Sequence, residues 1–302
     1  MNWGVYKVYR TLIETMKSVT LILILLLMFS VAGCIEQVDP NENKGASKKV
    51  TFGYVLWDGE VASTNVLKQV LEMKGYEVEA KAVDAEALYQ GLAKGDIDFT
   101  TSAWLPVTQE IYWNQYGDQI VYVRHNLKGC RLGLVVPTYV EVNSIDELNA
   151  NKEAFDSEII GIDPGAGIMY NAVNAIGVYG LDYRLVPGST ASMTSELGRA
   201  IADEKPIVVT LWSPHGAFSR WDLKYLDDPE KVFGYEDNVD TLTRMGLEED
   251  MPGVYDVLTR FNWSHEDVQF VMLNMENGMS PEEAAAKWIE NNPEKVNEWL
   301  DE

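Results

Sequence analysis

Two stretches of the chain repeat one order of apolar and polar segments. The first begins with an apolar run at residues 50–56 and the second with one at 159–162, and short apolar runs bounded by turn residues indicate buried strands. In both copies a segment of helical periodicity follows, closed by Gly75 or Gly180, and then a second strand, a second helix and a third strand. The pattern therefore predicts a βαβαβ unit that occurs twice.

The two copies keep the same spacing. Gly53 and Trp104 lie 51 positions apart, as do Gly161 and Trp212, and each of these tryptophans stands two residues before a proline. The predicted helices and second strands occupy residues 62–73, 86–93 and 76–82 in the first copy, and residues 169–179, 193–202 and 182–186 in the second. A shared frame of this length indicates two similar lobes.

Strands that alternate with helices predict an α/β fold, in which helices cover both faces of a parallel sheet. Ligands of such sheets bind at the carboxyl ends of the strands. Trp57, Trp104, Trp212 and residues 165–168 are all expected at those ends. The candidate site is therefore predicted to lie where the two lobes face each other.

The segments between and after the two copies predict how the lobes are joined. An apolar run at residues 132–136, ended by Pro137, is predicted to cross from the first lobe to the second, and the acidic tail from about Asp237 is predicted to be helical. The predicted division is a signal peptide at 1–33, a flexible tether at 34–49, a first lobe at 50–136 together with 237–302, and a second lobe at 137–236. Two lobes joined in this way leave a cleft, and Trp104 is expected to point into it.

The first residues are typical of a secretory signal, with Lys17, an apolar run at about residues 19–31, and small residues before Cys34. The alternative is a transmembrane anchor, which needs about 18 to 20 consecutive apolar residues, more than this run provides. The sequence VAGC resembles a lipobox, in which Cys34 is the lipid-modified first residue of the mature protein; the alternative is an ordinary buried cysteine. Translation begins at Met1 or, in a more usual signal, at Met16.

The charge and composition of the chain exclude several classes of partner and environment. The net charge is −23, and nucleic acid is not an expected partner because its phosphates require a clustered basic face. After residue 34 no apolar run approaches spanning length, so the body is expected to be soluble and outside the membrane. Cys130 is the one cysteine besides Cys34, which excludes a disulfide within that body.

The pattern of nucleophiles and histidines does not predict an enzyme. His125, His215 and His265 are far apart without metal-ligand spacing, and no G-x-S-x-G motif is present. We therefore predict no catalytic residue, no metal site and no cofactor.

The chemistry expected in the cleft comes from Trp57, Trp104 and Trp212. Indole faces attract cations, and a quaternary ammonium suits them because it carries its charge on methyl groups and donates no hydrogen bonds. Residues 163–169, DPGAGIM, follow a strand and open a helix, where glycines and free amides can bind an anion; the alternative is a turn that only connects strand and helix. Together these features predict a site for a small zwitterion such as a betaine.

Several motifs occur in one order from about residue 50 to the C-terminus: WDGEVAST, LYQGLAKGDIDF, AWLPVT, GLVVPTYV, GIDPGAGIM and LWSPHGAFSRWDLKYLDDP. They resemble the glycine betaine/proline betaine substrate-binding proteins of ABC importers, the OpuAC/ProX-like family. The resemblance implies a type II periplasmic-binding-protein fold that closes on its ligand. It also implies a role in osmoprotection, with delivery of the ligand to permease and ATPase subunits by a lipoprotein tethered outside the cytoplasmic membrane.

The resemblance assigns roles to residues of this chain. In the family a tryptophan cage holds the trimethylammonium group, and backbone amides at a helix start hold the carboxylate. Carried over, the cage is Trp57, Trp104 and Trp212, and the amides are those of Gly167 and Ile168.

One position departs from the family pattern. Members commonly have W-L-P-x-x-H, and this chain has Gln109 in place of that histidine. A glutamine amide donates a hydrogen bond but is neutral, so we expect the carboxylate to be held more weakly unless another donor compensates. His215 is the candidate donor; the alternative is a structural hydrogen-bonding role.

The resemblance leaves the ligand open among glycine betaine, proline betaine, carnitine and choline, which share a methylated head. A sensor component of the same fold, handing its ligand to a separate receptor, is the alternative function. Among the other tryptophans, Trp113, Trp221, Trp288 and Trp299 are predicted to be packing residues, and Trp263 is the first exception to consider.

Overall fold

The structure is a computed structural model that describes residues 49–301. The predicted signal peptide, the tether and Cys34 lie outside the described residues. Within residues 49–301, no helix combines the length and the apolar character needed to cross a membrane.

The elements are numbered in chain order. The strands are β1 (Lys49–Tyr54), β2 (Glu77–Ala82), β3 (Phe99–Leu105), β4 (Ile120–Pro137), β5 (Glu158–Ile160), β6 (Arg184–Val186), β7 (Val209–Ser213), β8 (Leu223–Tyr225) and β9 (Asp237–Arg244). The α-helices are α1 (Asp58–Met73), α2 (Ala85–Lys94), α3 (Glu110–Tyr116), α4 (Gly167–Val178), α5 (Thr190–Ala202), α6 (Ala217–Arg220), α7 (Leu247–Asp250), α8 (Pro252–Arg260), α9 (His265–Glu276), α10 (Pro281–Asn291) and α11 (Pro293–Leu300). Short 3₁₀ segments lie at Gly117–Gln119 and Ile145–Phe155.

The strands of the described chain form one mixed sheet in the order β2-β1-β3-β9-β4-β7-β5-β6, with β8 beside β4. The strand β1 pairs in parallel with β2 and β3, and β5 pairs in parallel with β6 and β7. The prediction of two βαβαβ units is therefore confirmed. Below, the first lobe is the half with β1, β2, β3 and β9, and the second lobe is the half with β5 to β8.

The strand β4 runs through both halves of the sheet. It is 18 residues long, far longer than the crossing segment predicted at residues 132–136. Its first part pairs with β9 and its last part with β7 and β8. The pairing with β9 is interrupted three times between Tyr122 and Cys130, and such bulges bend and twist a strand.

The prediction that the tail is helical from about Asp237 is wrong for its first residues. Asp237–Arg244 is the strand β9, inserted antiparallel between β3 and β4. Both faces of this strand are covered, which explains why Val239, Thr241, Leu242 and Thr243 are all buried. Valine and threonine favour such a pleated, covered position, and the helices begin only after Gly246.

The helices of the tail form the outer layer of the first lobe. Helices α9 and α10 pack against α1, and the rings of Trp288 and Trp299 stack with centroids 5.5 Å apart. Trp263 packs edge-on against Trp288 at 6.3 Å. These buried rings fix the layer that supports α1, the helix that carries one wall of the candidate site.

Candidate ligand-binding site

A cavity with about 240 Å³ of empty space, counting the part open to solvent, lies between the lobes at the carboxyl ends of the strands. We call it the front cavity. Its lining residues are Trp57, Trp104 and Thr108 from the first lobe, and Leu132, Ile162, Ala166, Gly167, Ile168 and Trp212 from β4 and the second lobe. Five of the seven predicted site residues, the three tryptophans with Gly167 and Ile168, thus line one cavity.

The three indoles reach the cavity from equivalent ends of different strands. Trp104 lies on β3 and Trp212 on β7, and each is followed one residue later by a cis X–Pro bond, at Pro106 and Pro214. Trp57 follows β1 and caps the start of α1. The rings of Trp57 and Trp212 are 6.3 Å apart and tilted by 56°, so faces from both lobes converge on the same space.

A buried carboxylate holds the indole of Trp104. The indole Nε1–H of Trp104 donates to Oε1 of Glu60 at 2.7 Å, whereas Nε1 of Trp57 has no partner among the described residues. Glu60 is 2% exposed. Burial raises the pKa of Glu60 to about 7, and the hydrogen bond from Trp104 offsets part of that rise.

The start of α4 forms the opposite side of the cavity. Its first turn contains no acidic residue, and the first amides of a helix have no intrahelical acceptor. A β-carbon added at Gly167 would lie 2.0 Å from the backbone oxygen of Thr108, so only glycine permits this approach. Gly167 and Ile168 line the cavity, and their amides, at the start of a helix, are potential donors to an anion.

The lobes touch each other around the cavity. The hydroxyl of Tyr112 in α3 donates to the carbonyl oxygen of Gly165 at 2.7 Å. Farther away, Arg220 of α6 pairs with Glu276 of α9 at 3.0 Å. Within the first lobe, Asp237 at the start of β9 accepts from the amide of Thr108 at 2.8 Å, which fixes the turn after Trp104. The molecule is thus closed over the front cavity.

Gln109 is fully buried behind the cavity wall, but it is not among the lining residues. Its Oε1 accepts from the hydroxyl of Tyr89 at 3.0 Å and from the amide of Trp104 at 2.9 Å. Its Nε2 has no partner among the residues that the structure describes. The two accepted bonds fix the orientation of the amide and leave one buried donor available.

His215 is also buried and also lies outside the cavity lining. Its ring packs edge-on against Trp212, with centroids 4.8 Å apart, and Nδ1 accepts from the amide of Ala217. Burial lowers the pKa of His215 to about 4, and the charge of Arg220 adds to that lowering. The ring is therefore neutral at neutral pH, and its proton is on Nε2, which has no described partner.

A second cavity, with about 300 Å³ of empty space counting the part open to solvent, lies behind the tryptophans, and we call it the rear cavity. Trp104 and Trp212 line both cavities. The other lining residues are Gly59, Glu60, Ser63, Thr101, Asn126, Leu127, Pro214, Val239, Trp263 and Val268. Trp263, the exception considered from the sequence, thus lines the rear cavity and not the front one.

Sequence reasoning missed two kinds of residue. Thr108, Leu132 and Ile162 border the front cavity, but a tertiary approach places them there and no local pattern signals it. Glu60 had a weak signal, because it is an acidic residue in the first turn after Trp57. Among the described residues, no group of three or more potential metal ligands was found.

Comparison with known proteins agrees with this geometry. The glycine betaine/carnitine transport binding protein GbuC of Listeria monocytogenes is 51% identical over 152 residues, which are 49% of this chain and 51% of that protein. The chain thus spans about half of that relative's length. The closed, liganded structure of lactococcal OpuAC with glycine betaine matches with a TM-score of 0.80 and 42% identity, covering 83% of this chain and 99% of that one.

A choline-binding protein of an ABC transporter, in complex with choline, matches with a TM-score of 0.81 and 28% identity, covering 84% of this chain and 92% of that one. These likenesses confirm the predicted type II periplasmic-binding-protein fold. Residues 48–291 match the family described as the substrate binding domain of the ABC-type glycine betaine transport system. The chain therefore belongs to this OpuAC family of substrate-binding domains.

Proposed function

We propose that the protein captures glycine betaine or a closely related quaternary-ammonium zwitterion and delivers it to the permease of an ABC importer. The observation that carries this proposal is the front cavity, where three indoles and the start of α4 meet. Indole faces stabilise a methylated cation, and the amides of Gly167 and Ile168 can hold a carboxylate. Family membership and the ligand named for the lactococcal structure support the same assignment.

The same site is suited to binding a ligand without catalysing a reaction. The cation is held by ring faces and the anion by backbone donors, and neither arrangement activates a bond. GbuC is named as a transport binding protein, and the lactococcal OpuAC structure is a complex with glycine betaine. The protein is thus expected to release its ligand chemically unchanged.

Isothermal titration with a ligand panel tests the proposal. Glycine betaine, proline betaine and carnitine carry both a quaternary nitrogen and a carboxylate, choline lacks the carboxylate, and glycine lacks the methyl groups. We expect heat of binding with the first group and none with glycine. Binding of glycine in preference to all methylated compounds would overturn the proposal.

Choline is the second candidate ligand, because the choline-binding structure has the same fold and Gln109 offers only a neutral donor. The ligand panel distinguishes the two candidates because glycine betaine has a carboxylate and choline does not. If the amides of Gly167 and Ile168 and the free Nε2 of Gln109 bind an anion, glycine betaine binds more tightly than choline. Tighter binding of choline would assign these donors to another role.

We further propose that the protein is held at the outer face of the cytoplasmic membrane by a lipid on Cys34, since its first residues resemble a signal with a lipobox. Replacement of Cys34 by Ser should then abolish incorporation of labelled fatty acid and release the protein from the membrane fraction. Equal labelling of both proteins would contradict the anchor without affecting the ligand assignment.

A further inference from the structure

The rear cavity contains buried oxygen atoms that no described residue pairs. Oε2 of Glu60 and Oδ1 of Asn126 are both buried without a hydrogen-bond partner in the described chain. The hydroxyls of Ser63 and Thr101 are only 3.2 Å apart and bond to each other. The carboxylate of Glu60 thus has one oxygen committed to Trp104 and one that faces an unpaired space.

A buried carboxylate without a cation is expensive in free energy, and proteins usually pair such a group or keep it protonated. Neither lysine nor arginine lines the rear cavity. Trp104 lines both cavities and donates to Glu60, so the front cavity offers a place for a positive charge beside the same ring. A quaternary ammonium there cannot donate a hydrogen bond to Glu60, but its charge acts through the intervening ring.

We propose that Glu60 is a positioning residue and the counter-charge for the ligand cation, acting through Trp104. The hydrogen bond fixes the indole in the cavity wall. Because the acceptor is charged, the bond is shorter and stronger than a neutral one, and it increases the electron density of the ring that faces the ligand. This inference rests on the proposed function, since it requires a cationic ligand.

The other titratable groups around Glu60 do not replace that role. Asp58, on the same helix, repels a negative charge on Glu60. On β4, burial raises the pKa of the Cys130 thiol well above its usual range, so it stays neutral. On β9, Asp237 accepts from the turn after Trp104, and Asp240 pairs with His125 of β4.

Two titratable groups of the second lobe are also accounted for. His215 is neutral at neutral pH, and Arg220 pairs with Glu276 of α9 and also acts on Asp58. Helix α9 contributes Val268 to the rear cavity, while His265 at its start binds the carbonyl oxygen of Lys128. The ligand is thus the available counter-charge for Glu60.

The proposal predicts linkage between ligand and proton. A cation in the front cavity favours the ionised form of Glu60, so binding should release a proton when the free protein holds one. Glycine betaine keeps its own charges constant between about pH 5.5 and 8.5. Its affinity should therefore fall as the pH is lowered through about 7, the pKa of Glu60 in the free protein.

The experiment compares wild type, Glu60→Gln and the control Glu248→Gln by calorimetry in two buffers of different ionisation enthalpy. Wild type and the control should release a fraction of a proton near pH 7 and lose about tenfold in affinity toward pH 5.5. Glu60→Gln keeps an acceptor for Trp104 but not the charge. It should bind about tenfold more weakly at pH 8 and show no pH dependence and no proton release.

A ligand of the same shape that keeps the carboxylate but lacks the cationic group separates charge from shape. In tert-butylacetate a carbon replaces the quaternary nitrogen of glycine betaine. If Glu60 acts as a counter-charge, Glu60→Gln weakens betaine but not tert-butylacetate; if it only holds the ring, both weaken equally. Wild type that binds betaine with the same affinity at every pH and releases no proton would overturn the inference and leave the proposed function intact, whereas wild type that binds no quaternary ammonium would overturn both.

Discussion

The helices α1 and α4 occupy equivalent places in the two βαβαβ units, yet their first turns have opposite chemistry. Helix α1 begins with Asp58 and Glu60, and Glu60 reaches Trp104. Helix α4 begins with Gly167 and Ile168 and carries no acid in its first turn. Carboxylates at a helix start occupy its positive end, so α1 presents an indole with negative charge behind it and α4 presents free amides.

This difference explains how a repeated unit can bind an unsymmetrical ligand. The repeat supplies the same frame twice, with a tryptophan at the end of β3 and another at the end of β7. Because the two helices start with different residues, one side of the front cavity is suited to a cation and the other side to an anion. A zwitterion placed between them has one favoured orientation.

The largest expected effect tests the α4 side. Replacement of Gly167 by Ala puts a methyl group about 2.0 Å from the backbone oxygen of Thr108, and a backbone atom cannot move aside cheaply. We expect the lobes to stay apart and the affinity for glycine betaine to fall by about 100-fold. Titration of Gly167→Ala against Gly177→Ala measures this, because Gly177 lies in the same helix with nothing within 4 Å of the added carbon. Equal affinities for the two variants would show that the contact is not needed for binding.

The next effect tests the cation side. Replacement of Trp104 by Ala removes one ring face and its buried area, and it should weaken binding of glycine betaine by about 2 kcal/mol, roughly 30-fold. Trp113→Ala is the control, since this half-buried ring does not line either cavity. Unchanged affinity in a folded Trp104→Ala variant would assign the ring to packing.

A smaller effect is expected at Gln109. Replacement by Glu keeps an acceptor for Tyr89 and Trp104 but replaces the free amide nitrogen by an oxygen that repels a carboxylate. We expect glycine betaine to bind about tenfold more weakly, with little loss for choline, which has no carboxylate. If calorimetric titrations show the same loss of affinity for both ligands, Gln109 acts only by holding Trp104 in place.

The last comparison concerns stability, and it involves Glu60, which bonds Trp104, and His215, which packs against Trp212. The free energy of unfolding of the free protein can be measured in denaturant between about pH 4.5 and 6.5 for wild type, Glu60→Gln and His215→Asn. Glu60 keeps its proton to about pH 7 when folded but loses it near 4.5 when unfolded, so its contribution to stability falls as the pH rises. His215 loses its proton near pH 4 when folded but only near 6.5 when unfolded, so its contribution rises with pH.

The two contributions oppose each other in wild type and should largely offset. Glu60→Gln is then expected to gain stability with rising pH more steeply than wild type, and His215→Asn less steeply, each by up to about 1.4 kcal/mol per pH unit. Identical slopes in all three proteins would mean that neither pKa is shifted by burial.

The sequence was sufficient to predict much of this arrangement. Short apolar runs, helical periodicity and closing glycines are local signals, and they predicted both βαβαβ units. The spacing from Gly53 to Trp104, repeated from Gly161 to Trp212, placed two tryptophans at equivalent strand ends. The resemblance added the roles proposed for Gly167 and Ile168, and these roles still await a ligand titration.

The features that escaped prediction depend on tertiary approach. Residues 237–244 form a strand because they pair with β3 on one side and β4 on the other. No local sequence signal distinguishes these residues from the helical tail. The bond from Trp104 to Glu60 joins residues 44 positions apart. The contact of Gly167 with Thr108 exists only when the lobes meet, so periodicity does not reveal it.

The interruptions in β4 have a consequence for how the molecule can be observed. Bulged residues leave the regular ladder, so the stretch between Tyr122 and Cys130 contains backbone amides that solvent deuterium reaches sooner than those in the unbroken pairing of residues 131–135 with β7. That stretch belongs to the strand that joins the two halves of the sheet, so rotation of one half against the other is expected to disturb its pairing. The rate of deuterium uptake by these amides is therefore expected to report how often the two halves of the sheet separate.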